Sequence, residues 1–276
     1  DTKGHANLEE LNRRLRSTCF IRRLKEDVLK ELPPNQRSMV PITITNRDEY
    51  SRAEADLIAW IRETALLKAQ EADLFSTDED REAHADAAAN RARAAEQLVR
   101  IESLKRLAAR GKMDGVTSWV EDFMEIGEKL VVFAHHVDIV QEIGRRFNAP
   151  TITGQTDLQA RQQAVDRFQK DPDCKIIVCN IQAGGVGLTL TASSNVAFVE
   201  LSWNSATQDQ AEDRCHRIGQ TDQVTAWYLL AENTIDEKIM ALIEEKRVVV
   251  TAATDGTPIQ GGGDIMEDLM KSLVEK

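Results

Sequence analysis

The sequence lacks the features that mark membrane, zinc-binding or disulfide-stapled proteins. Its longest apolar runs, such as LVVFA at 130–134 and IIVCNI at 176–181, have the length of strands and fall far short of the roughly 20 residues of a membrane span. The four cysteines form no CxxC pair, and the paired histidine spacing of a zinc site is missing. We therefore expect no membrane segment and no bound metal in this chain, with free thiols in a reducing cytoplasm.

Aromatic residues are scarce as well, at 5% of 276 residues, whereas 42% of the residues are hydrophobic. That composition suits a globular protein with one sizeable core and room for a smaller appended unit. The chain has neither an initiator Met nor a charged-then-apolar signal segment, so we interpret it as part of a longer parent protein.

Positive charge is in deficit, because 35 basic and 46 acidic residues give a net charge of −11. The deficit is uneven: residues 48–90 hold 12 acidic and 4 basic groups, whereas residues 91–112 hold 2 and 7. A phosphate backbone responds to such local basic patches as well as to the net charge. Composition therefore argues weakly against a nucleic-acid partner and does not exclude one.

Glycine and proline are absent from residues 48–110, which are rich in Ala, Glu, Arg and Leu. The stretch predicts two long helices broken near 75–80, a helical hairpin whose alternating charges are most simply a solvated face. A helical pattern also covers 7–32 until two prolines end it, and the alternation of PITIT predicts a strand at 41–45.

From residue 112 onward, short β-branched runs alternate with amphipathic helical patterns, which predicts an α/β fold with a parallel sheet covered on both faces. Ligands in such folds gather at the carboxyl ends of the strands. The predicted strands are 130–134, 151–153, 175–180, 195–200 and 225–231, and the predicted helices are 113–126, 136–147, 157–169, 187–191, 208–217 and 234–250. The tail begins with a Gly-rich linker and ends in a short amphipathic helix.

The stretch QAEDRCHRIGQ places Arg214 and Arg217 three residues apart. On a helix such residues project from one face, with Gln210 one turn earlier. Guanidinium groups stay charged and offer forked donors that match phosphate oxygens, so the pair suits a ligand with several negative oxygens. The alternative from spacing alone is a solvent-facing helix whose arginines pair with Glu212 or Asp213.

A second motif, QAGGVGLTLTAS, directly follows a predicted strand and contains Gly184, Gly185 and Gly187. Glycines there let the backbone turn sharply and approach a ligand, and free amides could hold an anion. The third glycine of a dinucleotide fingerprint is missing, and no Lys-Ser/Thr follows as in a Walker A loop. A tight turn between a strand and a helix explains the cluster equally well.

Five segments, taken in chain order, resemble motifs IV, V and VI in the second RecA-like lobe of SNF2-family ATPases: LVVFAHH, TGQTDLQARQQAVDRFQKDP, IIVCNIQAGGVGLTLTAS, FVELSWN and QAEDRCHRIGQTDQV. Upstream, CFIRRLKEDVLKELPPNQR resembles the segment that joins the first lobe to the second. The resemblance covers about residues 7–250 and is most specific in the arginine motif. It is closest to the annealing-helicase (HepA-related) branch, with its bacterial and phage relatives.

The resemblance implies a RecA-like three-layer α/β lobe, the second lobe of an ATP-driven translocase on double-stranded or branched DNA. ATP and Mg²⁺ would lie in the cleft between two lobes, held mainly by the first. By their motif positions, Arg214 and Arg217 correspond to arginine fingers that contact the phosphates, and Gln210 to the polar residue preceding them. The motif V glycines near the cleft correspond to Gly185 and Gly187, and the blocks associated with the DNA track contain Gly154, Thr156, Thr189 and Trp203.

Two differences from the family pattern matter. Ser205 follows Trp203 and Asn204 where the family usually has Pro, which leaves the local turn open. No GxxxxGK[ST] loop and no Asp-Glu metal box occurs anywhere in the sequence, so we expect the first lobe elsewhere in the parent and no ATPase activity from this chain alone. The expected partners are DNA and that N-terminal lobe, in a bacterial or phage-infected cytoplasm or, for a eukaryotic parent, the nucleus.

The chain is predicted to divide into four parts: an inter-lobe helical linker at 1–40, a first strand with the hairpin protrusion at 41–111, the C-terminal helicase lobe at 112–250, and a linker with a terminal helix at 251–276. Two other functions stay open. One is a lobe of an RNA or strand-separating superfamily 2 helicase, and the other is a non-catalytic module whose hairpin or tail binds a protein.

Overall fold

The computed structural model of the protein describes residues 8–19, 21, 28–74, 81–184, 187–255 and 265–274. Its strands are β1 Asn35–Ile42, β2 Leu130–Ala134, β3 Thr151–Ile152, β4 Ile176–Asn180, β5 Asn195–Phe198 and β6 Val224–Ala231. They form one six-stranded sheet in the order β1-β6-β5-β2-β4-β3, and every neighbouring pair is parallel.

The helices alternate with these strands along the chain. They are α1 Leu8–Thr18, α2 Arg47–Leu74, α3 Arg81–Gly111, α4 Met113–Glu125, α5 Val137–Arg146, α6 Leu158–Lys170, α7 Ile181–Gly184, α8 Ser205–Glu212, α9 Ile235–Asp255 and α10 Ile265–Val274. The strand–helix alternation predicted after residue 112 is therefore confirmed, with most bounds within one or two residues.

Helices cover both faces of the sheet, which confirms the predicted three-layer RecA-like α/β fold. Successive residues of β2 point to opposite faces. Val131 and Phe133 join a core with α6, α8 and α9, while Leu130 and Val132 join a second core with α4 and α5. All of β2 is buried, because a central parallel strand lies between two helical layers.

The predicted helical hairpin is present as α2 and α3, whereas its break at 75–80 lies outside the described residues. The base of the hairpin packs into the main core through Tyr50, Leu57, Ile101, Leu104 and Ala108. Because these side chains are buried against the lobe, the base is anchored in the body of the molecule.

The two ends of the chain also form helices where the sequence predicts them. α10 buries Leu269 and Leu273 in the main core and forms an ion pair with α9, between Asp268 and Lys246, at 3.3 Å. α1 accounts for the first part of the helical pattern at 7–32, and part of its continuation lies outside the described residues, as does the Gly-rich linker before α10.

The strand predicted at 41–45 is misplaced, because β1 begins at Asn35 and ends at Ile42. Beyond Ile42 the chain leaves the sheet, and Thr45 donates from its N–H and its hydroxyl to Gly111 O at the end of α3, at 2.9 and 3.1 Å. β1 lies at the sheet edge beside β6. An edge strand tolerates Pro41, which has no N–H to donate.

The short helix predicted at 187–191 is wrong. The helical turn comes earlier, as α7, directly after β4. Asn180 caps it, since its Oδ1 accepts from the N–H groups of Gln182 and Ala183 at 3.0 and 3.2 Å. Gly187 has a φ of +70°, in the left-handed region, so it cannot belong to a right-handed helix.

The helix predicted at 208–217 is shifted toward the N-terminus, because α8 begins at Ser205 and ends at Glu212. Asn204 caps its first turn by accepting from Ala206 N at 2.9 Å. Asn204 is the second residue of the Trp-Asn pair, and the residue after it is Ser205 where the family usually has Pro. The cap by Asn204 therefore explains how the helix begins here without that proline.

Three of the four cysteines, Cys174, Cys179 and Cys215, are buried thiols, and burial raises the pKa of each above its ordinary value.

None of the helices in the described part of the chain combines the length and the hydropathy that a membrane span requires.

A buried ion pair joins the end of the hairpin to the sheet. Lys112, only 1% exposed, donates from Nζ to Asp236 Oδ2 at 2.5 Å and to Leu229 O at 2.8 Å. The same carboxylate oxygen of Asp236 accepts from Ala231 N at 3.1 Å. Lys112 therefore ties the junction of α3 and α4 to the end of β6 and the start of α9.

We predict that Lys112→Ala lowers the free energy of unfolding by about 3–5 kcal/mol, because the Asp236 carboxylate stays buried without its cation. The control is Lys170→Ala, which breaks an exposed pair with Asp166 at 3.2 Å and should cost about 1 kcal/mol or less. Urea unfolding of both variants measures the difference. Equal losses would contradict a stabilising role for the buried pair.

Candidate functional site

The glycine motif and the arginine motif meet at the amino-terminal edge of the sheet. The stretch after Gly187 leads into β5, and the turns after α8 lead into β6. Leu190 N donates to Arg214 O at 2.9 Å, which joins the two stretches directly. Two segments more than 20 residues apart in the sequence thus form one surface.

Both arginines belong to this surface. The half-buried Arg217 places Nη1 at 3.3 Å from Leu188 O and 3.5 Å from Thr189 Oγ1. Arg214 is 5% exposed, and its pKa is lowered by burial and then by the charge of Arg217, while Asp213 acts in the opposite direction. The charge of Arg217 is near enough to lower the pKa of Arg214. Two such neighbouring positive charges favour a bound anion, because an anion would relieve their repulsion.

The predicted helical geometry of the pair is wrong. α8 ends at Glu212, so Arg214 and Arg217 lie in the turns beyond the helix rather than on one helical face. Those turns include Gly219 with a φ of +99°. Gln210 lies on α8 itself and is exposed, so its side chain belongs to the helix surface. The turn, not helical periodicity, brings the two guanidinium groups together.

Of the two acidic partners in the alternative, Glu212 is engaged by other residues, whereas Asp213 stays a candidate, since its charge acts on Arg214. The carboxylate of Glu212 is 1% exposed and accepts four hydrogen bonds from other side chains. The donors are Asn35 Nδ2 at 2.7 Å, Arg37 Nε and Nη2 at 2.8 Å each, and Tyr228 OH at 2.6 Å. Burial and the Glu212 charge raise the pKa of the Tyr228 phenol, which therefore remains a donor.

Gln220 holds the two loops together, a role that the sequence analysis missed. Its buried Nε2 donates to three carbonyl oxygens, and its Oε1 accepts from two backbone N–H groups at 3.0 Å each. The acceptors are Ser193 O at 2.9 Å, Thr191 O at 3.3 Å and Cys215 O at 3.4 Å, and the donors are Thr221 N and Asp222 N. Gln220 was part of the quoted arginine motif, but spacing alone assigns it no partner.

The segment that precedes β1 contacts the same turns. His216, between the two arginines, lies with Nε2 at 2.7 Å from Pro33 O. A hydrogen bond at this distance requires that Nε2 carries the proton, because a carbonyl only accepts. The predicted inter-lobe linker is therefore bonded to the arginine turn itself.

The other predicted residues lie elsewhere or outside the described chain. Gly185 is not among the described residues. Gly154 and Thr156 follow β3, where Thr156 Oγ1 accepts from Thr153 N at 2.9 Å, and Trp203 follows β5. These three lie at the carboxyl-terminal edge of the sheet, opposite the arginines. The expectation that candidate ligand residues lie at the carboxyl ends of the strands therefore fits the positions of Gly154, Thr156 and Trp203 and not those of the two arginines.

The chain resembles known helicase-related proteins in its sequence. The model of the helicase conserved C-terminal domain matches residues 112–219. The chain is 32% identical over 262 residues to the DNA annealing helicase and endonuclease ZRANB3 of Mus musculus, covering 93% of this chain and 22% of that protein. It is 34% identical over 263 residues to the SWI/SNF-related matrix-associated actin-dependent regulator of chromatin subfamily A-like protein 1 of Xenopus tropicalis, covering 92% and 25%.

Solved structures show the same fold. The C-terminal part of the Fun30 ATPase domain matches with a TM-score of 0.59 at 18% identity, covering 88% of this chain and 99% of that one. The Sulfolobus solfataricus SWI2/SNF2 ATPase core in complex with dsDNA matches with a TM-score of 0.58 at 24% identity, covering 90% and 53%.

The fold and the paired motifs define a C-terminal RecA-like lobe of the superfamily 2 helicase class. The chain belongs to the SNF2 family within that class, close to the annealing-helicase branch. It spans about a quarter of the length of the curated relatives that it matches. Both of these relatives are animal proteins, so a bacterial or phage source stays a prediction.

We predict that Gln220→Glu lowers the free energy of unfolding by about 1–3 kcal/mol, because a carboxylate oxygen would face three carbonyl oxygens without a proton to donate. Hydrogen exchange should also rise in the stretches 188–193 and 213–222 that Gln220 connects. The control is Gln223→Glu, since Gln223 is exposed and its Nε2 donates to the exposed Gln36 Oε1 at 3.1 Å. Similar exchange in both variants would contradict the connecting role.

Proposed function

We propose that this chain is the C-terminal motor lobe of an ATP-dependent translocase on double-stranded DNA, of the remodelling or annealing kind. The observation that carries the proposal is the pair Arg214 and Arg217, which share one turn joined to the glycine motif, by Leu190 N to Arg214 O at 2.9 Å and by Arg217 Nη1 to Leu188 O at 3.3 Å. The names of the relatives, a DNA annealing helicase and a chromatin regulator, support the choice of DNA.

In this proposal the two guanidinium groups act as arginine fingers on the phosphates of ATP. Their forked donors match phosphate oxygens, and their adjacent charges favour an anion between them. Such residues stabilise the charge that develops on the transferred phosphoryl group, which is worth about 10³- to 10⁵-fold in rate. Gln210 and the motif V glycines, Gly185 and Gly187, would line the same cleft.

We assign most of the ATP and the Mg²⁺ to an N-terminal lobe of the parent protein. The sequence of this chain holds no GxxxxGK[ST] loop and no Asp-Glu box. Residues 112–250 would then be the motor lobe itself, with 1–40 and 251–276 bracing it. His216 and Pro33 support this arrangement, because they join the proposed linker to the arginine turn.

The DNA track is proposed to run along the carboxyl-terminal edge of the sheet. Gly154, Thr156 and Trp203 lie there, whereas Thr189, the fourth candidate, lies beside the arginines at the other edge, at 3.5 Å from Arg217. A lobe of an RNA helicase would share this fold, so the stimulating nucleic acid is the discriminating observation. Stimulation of the parent ATPase by RNA but not by duplex DNA would overturn the DNA assignment.

In a parent protein that carries both lobes, we predict that Arg217→Ala leaves ATP binding largely intact and lowers DNA-stimulated hydrolysis by about 10³-fold or more. Arg217→Lys should fail similarly, because an ammonium cannot reproduce the guanidinium fork. Arg145→Ala is the control, since Arg145 is exposed on α5, on the opposite helical layer. Normal turnover by the Arg217 variants would overturn the arginine-finger assignment.

For the chain alone, we predict no ATP hydrolysis with or without duplex DNA, because arginine fingers without a phosphate loop and its metal cannot catalyse phosphoryl transfer. Release of phosphate from ATP by the purified chain measures this. Turnover that resists further purification and is lost in Arg217→Ala would show that the lobe is catalytic by itself.

A further inference from the structure

The base of the helical hairpin meets the carboxyl-terminal edge of the sheet at Trp203. The indole Nε1 donates to Glu102 Oε1 on α3 at 2.6 Å. Lys105, one turn further along α3, places Nζ 4.4 Å from the centre of the Trp203 ring and 3.5 Å from Glu102 Oε1. Two neighbouring hairpin residues therefore contact the same tryptophan.

These contacts restrain the indole in complementary ways. The bond to a carboxylate fixes the direction of the N–H, and charged hydrogen bonds are among the stronger ones in proteins. The ammonium over the ring favours one orientation of the ring plane, through attraction to the negative ring face. Together they leave the half-buried Trp203 little freedom to rotate, while part of its surface stays accessible.

Lys105 is not itself placed to bind a phosphate. It is 3% exposed, and burial lowers its pKa, whereas the charges of Glu102 and Glu200 act to raise it. Its charge is directed at Glu102 and at the ring rather than at solvent. A buried ammonium is costly unless such partners are present.

Residues at the ends of two central strands, β2 and β5, contact the cluster of Trp203, Glu102 and Lys105. Glu200, buried after β5, accepts from the backbone N–H groups of His135 and His136 at 2.9 and 2.8 Å, and lies 2.5 Å from His136 Nδ1. Burial acts to raise the pKa of Glu200, but the hydrogen bonds from His136 lower it by more, so the pKa lies below its ordinary value. His136 Nε2 in turn lies 3.8 Å from Glu102 Oε2, which links the hairpin to the ends of β2 and β5.

We infer that Glu102 and Lys105 of the hairpin are positioning residues, which hold Trp203 in the orientation in which it contacts duplex DNA. The inference rests on the proposed function for the DNA contact, whereas the positioning contact itself stands on the geometry alone. It assigns the base of the hairpin to the DNA track, a role that the charge pattern of the hairpin did not indicate.

The first test observes the indole directly in this chain. Trp203 is identified among the four tryptophans by comparison with Trp203→Phe in ¹H–¹⁵N spectra of the indole N–H groups. Glu102→Leu should shift the Trp203 resonance strongly, since no acceptor remains, whereas Glu102→Gln should shift it little, because its amide oxygen can still accept. Glu96→Leu on the exposed side of the same helix is the control. An unchanged resonance in Glu102→Leu would overturn the inference.

The second test measures the affinity of the same variants for duplex DNA at one fixed salt concentration. Glu102→Leu and Glu102→Gln remove the same negative charge, so their difference reports the acceptor and not the net charge. We expect Glu102→Leu to bind up to about tenfold more weakly than Glu102→Gln, the order of effect for one neutral hydrogen bond, because Gln keeps an oxygen that accepts from the indole and Leu does not. Lys105→Met, which keeps the length of the side chain, should weaken binding in the same direction.

The outcomes separate this inference from the proposed function. Unchanged affinity in Trp203→Phe would remove Trp203 from the DNA track and overturn the inference, while the ATPase test on Arg217 would be unaffected. Weaker binding by Trp203→Phe together with equal binding by the two Glu102 variants would overturn the positioning role alone. Both Glu102 variants leave the buried Lys105 ammonium without its carboxylate partner, so both should unfold at a lower temperature than the unaltered chain. A cooperative thermal transition in each variant, above the temperature of the binding measurement, confirms that the comparison is made on folded protein.

Discussion

The carboxylate of Glu212 is the constraint on which the rest of the lobe depends. A buried carboxylate is costly unless its oxygens accept hydrogen bonds, and here Asn35 and Arg37 from β1 and Tyr228 from β6 supply them. That set of bonds holds the edge strand, its neighbour and the end of α8 in one arrangement. Because Glu212 ends α8, the same bonds determine where the turn with Arg214 begins.

The fold could be predicted where the sequence pattern is local. Continuous apolar strands such as β2 and β4 are recognisable because a parallel strand is buried on both faces. The errors fall where distant residues decide an element. The strand at 41–45 failed because Thr45 bonds to Gly111 instead of to a sheet neighbour, and the helix at 187–191 failed because Gly187 adopts a left-handed φ. Neither cause is visible in a window of neighbouring residues.

The candidate site shows the same division. Motif order identified Arg214 and Arg217, but their grouping depends on a turn that spacing presented as a helix. Gln220 and Glu102 escaped notice because each acts through partners far away in the sequence; Glu102 and Trp203 are 101 residues apart. An amide or a carboxylate carries no sign of its acceptor or donor until the fold brings the two together. Residue type therefore predicted the charges of the site, and not the bonds that orient them.

One short helix joins the two edges of the sheet that the proposed function uses. α8 begins directly after Trp203 and Asn204 at the carboxyl-terminal edge and ends at Glu212, two residues before Arg214 at the opposite edge. Eight helical residues span about 12 Å, at 1.5 Å per residue. Such a helix, capped at one end by Asn204 and held at the other by the bonds to Glu212, behaves as a stiff connection. The contacts that hold Trp203 and those that hold the arginine turn therefore lie at the two ends of one helix, which fixes the distance between the two edges.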